Sequence, residues 1–352
     1  MKGAAGRRPF LVGPAPFIAA SLCLILLPGC YTARVLSGGA GLLASREPIE
    51  KVLRNGDLTA EERGKLELSQ QIVDFAISDL QLPDNGSYRT YVRLDRPYVV
   101  WNVVAAPALS IEPLTWCFPI VGCVSYRGYF KEAQAVEFAR KLERKGNDVS
   151  VRGADAYSTL GRFEDPILST FLRRPPADLA RLLFHELSHQ VLYVKDDTAF
   201  NESFATVVER EGVRRWLEAT GREDEIPALE RRQDVDRRFI SLLLDFRARL
   251  DRLYRSAVPD AEKAGEKARL LAALRDAYEE AKRAWGGDAR YDAWFEQPLN
   301  NARLAAVADY HDLVAPLERL LRDAGGDLGS FYRAVEELGR LEPDERRRRL
   351  DG

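Results

Sequence analysis

His185-Glu186-Leu187-Ser188-His189 sets two imidazoles four residues apart, just over one turn of an α-helix. On a helix the two side chains share a face and can offer two nitrogens to one metal ion. Glu186 sits about 100° around the same helix, from where it can reach a metal-bound water without being a ligand. The chain has only three histidines, and two of them fall in this pentapeptide. Two histidines and one more distant carboxylate leave a fourth position open for water, which separates a catalytic zinc from a structural one. Glu202 and Glu209 both qualify for that carboxylate. Seven residues apart, they project on nearly one face of the next expected helix.

The elements around these residues must present them. Pro175-Pro176 ends the preceding segment. Residues 177–192 then read as a helix that continues to about residue 194, with Leu179, Leu182, Leu183, Leu187 and Val191 as its apolar stripe. Lys195-Asp196-Asp197-Thr198 reads as a turn carrying a cap, and residues 201–217 read as the second helix. Upstream, residues 49–80 are helical with a break at Asn55-Gly56-Asp57, and Asp84-Asn85-Gly86 ends them. Residues 89–106 are strand-like with a turn at Asp95-Arg96-Pro97, and residues 124–130 and 149–152 are shorter strands. Beyond Arg222 the chain turns charged and helical, with Pro259 breaking residues 226–285 into a pair and shorter helices at 299–321 and 328–338.

The expected fold is therefore α+β and mostly helical. A small antiparallel sheet lies beside a two-helix zinc core, and a helical C-terminal part follows. The expected division is a signal over residues 1–29, a helical segment over 30–85, the sheet and zinc core over 86–221, and the helical part over 222–352. Residues 122–130 or 149–154 could hold an extended substrate as an edge strand, and residues 153–165 could wall a cleft.

Lys2, Arg7 and Arg8 precede an apolar run over residues 17–27, too short to span as a mature helix and typical of a secretory signal. Leu27-Pro28-Gly29-Cys30 resembles a bacterial lipobox, with Cys30 as the acylated first mature residue. Arg7-Arg8-Pro9-Phe10-Leu11 also resembles a twin-arginine export signal. Tyr31 rather than an aspartate after Cys30 favours, by resemblance to bacterial sorting rules, the outer membrane with the body facing the periplasm. A net charge of −2 and a pI near 6.1 give no sign of nucleic-acid binding. The only basic tract, Arg346 to Arg349, reads as a solvated terminus. Cys117 and Cys123 remain for the exported body, where a disulfide between them would contribute roughly 2 kcal/mol in the chain-entropy model.

Asn201-Glu202-Ser203-Phe204-Ala205-Thr206-Val207-Val208-Glu209 resembles the second-helix motif of membrane-alanyl-type (gluzincin) zinc aminopeptidases. The resemblance implies Glu202 as the third zinc ligand, with Glu209 and Thr206 in the outer shell. Only twelve residues separate His189 from Glu202, a shorter loop than those enzymes usually have. Ser45-Arg46-Glu47-Pro48-Ile49, Trp116-Cys117-Phe118-Pro119, Gly122 to Phe130 and His185 to Glu202 are together similar to a family of bacterial lipoprotein-type zinc aminopeptidases. That resemblance implies one Zn2+ ion, peptide substrates, attachment to the membrane through the lipid, and Glu186 as general base. Zinc peptidases often add a Tyr or His donor for the oxyanion, for which Tyr310 and His311 are the first choice, with Tyr126, Tyr129 and Tyr157 behind them. Glu164, Asp165 and Glu209 are the right type to hold a free α-ammonium. The zinc motif does not decide between an aminopeptidase and a zinc endopeptidase, and the rival of a different class is an envelope lipoprotein that binds a partner without catalysis.

Overall fold

Thr59 opens the first long helix by chemistry local to the sequence. Its hydroxyl accepts from the Glu62 amide at 3.1 Å while the Glu62 carboxylate accepts from the Thr59 amide at 2.9 Å, and Ala60–Ser78 follows. The computed structural model describes residues 29–118, 122–159, 161–308 and 313–351. Within them the fold is α+β and mostly helical.

At the centre, helix Pro176–Ser188 packs on helix Thr198–Ala219, and Ala60–Ser78 closes over the first of these. Pro176 sits in the opening turn of Pro176–Ser188, where a missing N–H costs nothing. Leu179, Leu183, Phe184 and Leu187 bury one face. They meet Leu66, Ile72 and Val73 from one side and Phe204, Val207 and Val208 from the other. Each such side chain contributes about 1.5–3 kcal/mol by leaving water. Gly212 permits the close approach of the two helices, since a Cβ there would lie 2.8 Å from the Phe184 ring.

Two small sheets flank this centre. In one, Val100–Pro107 lies between Tyr126–Tyr129 and Asn147–Ala154, antiparallel to both, with Val104 opposite Tyr126 and Trp101 opposite Tyr129. Helix Glu132–Glu143 covers one face. In the other, Thr90–Val92 pairs antiparallel with Glu47–Pro48 and parallel with Ile167–Leu168. The strand-like stretch expected over residues 89–106 is thus two strands in different sheets. The Arg96 guanidinium holds the intervening turn, donating to the carbonyls of Phe130 at 2.8 Å and Val99 at 3.2 Å.

Helices Ile226–Arg255 and Asp260–Ala284 form a hairpin about Pro259, with its own core of Phe239, Leu243, Phe246, Leu250, Leu274 and Tyr278. Val314–Asp323 and Leu328–Gly339 return to the main core, where Leu317, Phe331 and Val335 join Phe204.

Arg346 corrects the expectation of a wholly solvated basic terminus. Arg347, Arg348 and Arg349 are exposed, but Arg346 is only 2% exposed. Its guanidinium donates to the carbonyls of Leu338, Gly339 and Leu341, pairs with Asp197, and lies 4.7 Å from the centre of the Phe200 ring. Asp197 is also the N-cap of helix Thr198–Ala219, accepting from the Phe200 amide at 3.0 Å.

The helix expected to reach residue 192 or beyond ends at Ser188, with His189 as its cap. Asn201 accounts for this. It is 1% exposed, accepts from the Val194 amide and donates to the Val194 carbonyl, both at 2.7 Å, and so ties the connecting loop to the next helix. Tight bonds from Gln190 to Leu187 and from Val191 to Ser188 close the last turn instead. A disulfide joins Cys117 to Cys123 across the hairpin Trp116–Phe118 and Gly122–Val124. The Cys123 amide donates to Asp196 Oδ1 at 2.6 Å, which docks that hairpin on the same loop.

Candidate metal centre

Packing of the two central helices decides which atoms meet. His185, His189 and Glu202 each bring one potential ligand atom to a group whose members lie within 4.8 Å of one another. Glu202 Oε2 is 3.2 Å from His185 Nε2, and Glu202 Oε1 is 3.7 Å from His189 Nε2. The imidazole planes are nearly perpendicular, at 87°, with centroids 4.9 Å apart. Two imidazole nitrogens and one carboxylate oxygen converging in this way could hold a metal ion.

Glu209 lies on the far side of the same imidazole, with Oε2 2.9 Å from His185 Nδ1. Arg181 Nε stands 3.8 Å from its other oxygen. Burial is the largest single influence and works against charge on Glu209, but the hydrogen bond and charge of His185 together with the charges of Arg181 and Arg210 hold the carboxyl below its usual range. An ionised Glu209 accepts the Nδ1–H hydrogen bond, which fixes Nε2 as the nitrogen that faces Glu202 and His189. Burial, aided by the charge of His185, pushes His189 down to about 4, so its ring is neutral, as a ligand must be. Burial also opposes charge on His185. Its hydrogen bonds to Glu202 and Glu209 overcome this and raise it well above 6.5, so that without a cation a proton holds the two carboxylates together. A cation between Nε2 and Glu202 would take that proton's place, and the donor set therefore fits a divalent metal.

Glu209→Gln is expected to lower metal affinity by about 10–100-fold, the usual effect of a lost outer partner. Competition with a chromophoric chelator reads this directly, and an unchanged affinity would detach Glu209 from the centre.

Glu186 leaves the helix beside this group. Burial raises its carboxyl to about 7; His185 opposes the rise, and Glu202 and Asp165 add to it. The Ser158 hydroxyl bonds both Glu186 and Asp165, the latter at 3.2 Å. Asp165 is fully buried and also accepts from the Thr159 amide at 2.9 Å. A carboxyl near 7 in the folded chain and near 4.5 in the unfolded chain favours folding below pH 4.5 and opposes it increasingly as pH rises toward 7. Metal-free Glu186→Gln protein is therefore expected to melt higher than metal-free wild type at pH 8 and about equal to it at pH 4. Equal melting at both pH values would place Glu186 in a water-like environment.

Three tyrosines stand near these carboxylates. Burial raises Tyr126 above its ordinary value, and Glu202, Tyr193 and Glu186 add to the shift. Burial and then Glu202 raise Tyr193. Tyr88 is 2% exposed, takes a left-handed backbone at φ 64°, and buries its hydroxyl without a hydrogen-bond partner among the described residues. Burial and then Glu186 and Asp165 raise it. Of the tyrosines singled out from sequence, Tyr129 packs instead on Tyr31 and Phe138, and Tyr157 packs on Phe130. Tyr310 and His311 lie outside the described residues. Glu164 is exposed and bonded to Arg46, so of the acids suited by type to an α-ammonium only Asp165 approaches Glu186. Tyr88, Ser158 and Tyr193 were missed because none belongs to the His185–His189 motif or the second-helix motif, and only tertiary packing brings them near those carboxylates. Thr206 is buried one turn from Glu202 and lines, with Arg181, Glu209 and Asp236, a cavity of about 420 Å³ on the Glu209 side.

A family model described as "Putative aminopeptidase" matches residues 30–350. Neither a curated protein nor a solved structure matches the chain.

Proposed function

Because the chain belongs to that aminopeptidase family, we propose that it is a zinc-dependent aminopeptidase that removes residues from the N-termini of peptides. The observation that carries the reading is the meeting of His185 Nε2, His189 Nε2 and the Glu202 carboxylate, with Glu209 on the back of His185. Those three side chains would hold the ion. Zinc, when bound, supplies a Lewis acid that polarises a peptide carbonyl and lowers the pKa of water.

The chain's own groups do the rest. Glu186, whose carboxyl sits near neutrality, takes a proton from the attacking water and returns it to the leaving amine. Ser158 steadies the Glu186 side chain. Tyr126, with its hydroxyl held protonated by burial and by Glu202, serves as the donor to an oxygen that gains charge. In the same reading Cys30 carries the lipid and the body works in the periplasm at the outer membrane.

The test is a pair of peptides identical except for a free or acetylated N-terminus, given to lipid-free protein with known zinc content. Cleavage of the free form alone is expected. Cleavage of both would make the enzyme an endopeptidase, and cleavage of neither by zinc-loaded protein would remove the catalytic reading.

A further inference from the structure

A lipid-bearing cysteine is commonly followed by a flexible tether, yet here the next residue is already part of the folded body. Cys30 and Tyr31 are separated by one peptide unit, about 3.8 Å between Cα atoms. Tyr31 is held on three sides. Its hydroxyl donates to the Gly128 carbonyl at 3.0 Å, its ring packs on Phe118 and Tyr129 at 5.8 and 5.3 Å, and the Arg127 guanidinium stacks 3.6 Å from its centre.

The helix that begins there, Gly29–Ala44, meets the body again further along. At Gly38 the approach is so close that a Cβ would fall 2.3 Å from the Phe130 ring, and at Gly39 it would lie 3.4 Å from the Tyr157 hydroxyl. Leu42 belongs to the main core, and the Arg46 guanidinium donates to the Glu164 carbonyl at 2.5 Å. Some of these partners connect to the metal centre through one further residue. Gly128 and Tyr126 share one strand, Tyr31 is among the groups that act electrostatically on Tyr126, and Tyr157 precedes Ser158, which bonds Glu186.

From this we propose that the lipid anchor is fixed without a tether beside the metal centre, so that the bilayer is a built-in partner and the enzyme works at one set height above it. The preferred substrates would be free N-termini of polypeptides lying close to the membrane surface. The proposal rests on acylation of Cys30, as read above. A body on a twelve-residue Gly/Ser tether would roam over about 20 Å. The packed N-terminus removes that freedom.

The experiment uses the full chain, acylated in cells and reconstituted into phosphatidylcholine vesicles. The substrates are one free-N-terminus peptide coupled through its C-terminus to lipid by spacers of increasing length, with the uncoupled peptide as reference. Mass spectrometry of Cys30 comes first. Wild type is expected to cleave one end of the spacer series at least about 10-fold faster than the other, because a fixed height selects one reach. Twelve Gly/Ser residues inserted between Cys30 and Tyr31 leave the packed residues from Tyr31 onward in sequence. The insertion is expected to flatten the series to within about 2-fold without changing cleavage of the uncoupled peptide. A series equally steep, or equally flat, in both proteins overturns the fixed anchor while acylation stands. A chain with no acyl group on Cys30 overturns the anchor reading and this inference together.

Discussion

Glu186→Gln should lower kcat by about 10²- to 10⁴-fold, the range expected when a positioned general base is lost. Metal content should stay at the wild-type level. Glutamine keeps the size and the hydrogen bond to Ser158 but cannot take a proton from water, and Glu186 is not one of the three converging donors. The measurement is kcat and bound metal on the same preparation. Loss of metal along with turnover would make Glu186 a ligand, and retained turnover would assign the base elsewhere.

Arg346→Ala should cost about 3–5 kcal/mol of stability, as when one partner of a buried pair is removed. The change leaves the Asp197 carboxylate without its cation and removes the guanidinium bonds to the carbonyls of Leu338, Gly339 and Leu341. For a chain of this size that is a fall in melting temperature of roughly 5 °C. Arg347→Ala, one residue along and exposed, should stay within about 0.5 kcal/mol of wild type. Parallel thermal melts decide the matter, and equal effects of the two substitutions would return Arg346 to the solvated surface. Because Asp197 caps the helix that carries Glu202, the Arg346 variant should also bind metal less tightly.

Much of the fold could be read along the chain because helix starts and stops are local chemistry. Pro175-Pro176, the Thr59 cap, Pro259 and Gly286-Gly287 act through backbone groups a few residues away, and helices begin or end close to each. Elements failed to follow the local pattern where a distant side chain intervened. Asn201 pulls Val194 away from the helix that apolar spacing would have continued.

The centre divides in the same way. His185, Glu186 and His189 were identifiable because one helical turn fixes their relation whatever surrounds them. Glu202 and Glu209 were equivalent by spacing, since seven residues return a helix to nearly the same face. Only the packing of one helix on the other puts Glu202 at Nε2 and Glu209 at Nδ1 of a single imidazole. Tyr88, Ser158 and Asp165 come from separate segments and meet Glu186 through tertiary contact alone. What the sequence by itself determined was therefore which side chains are offered together at one point, because two imidazoles and a carboxylate within five residues depend only on helical geometry. The positions of the carboxylates around His185, the burial that lifts Glu186 toward neutrality and the seat of Tyr31 on Gly128 and Arg127 were decided by the tertiary structure. Each depends on distances and desolvation that arise only when remote segments pack together.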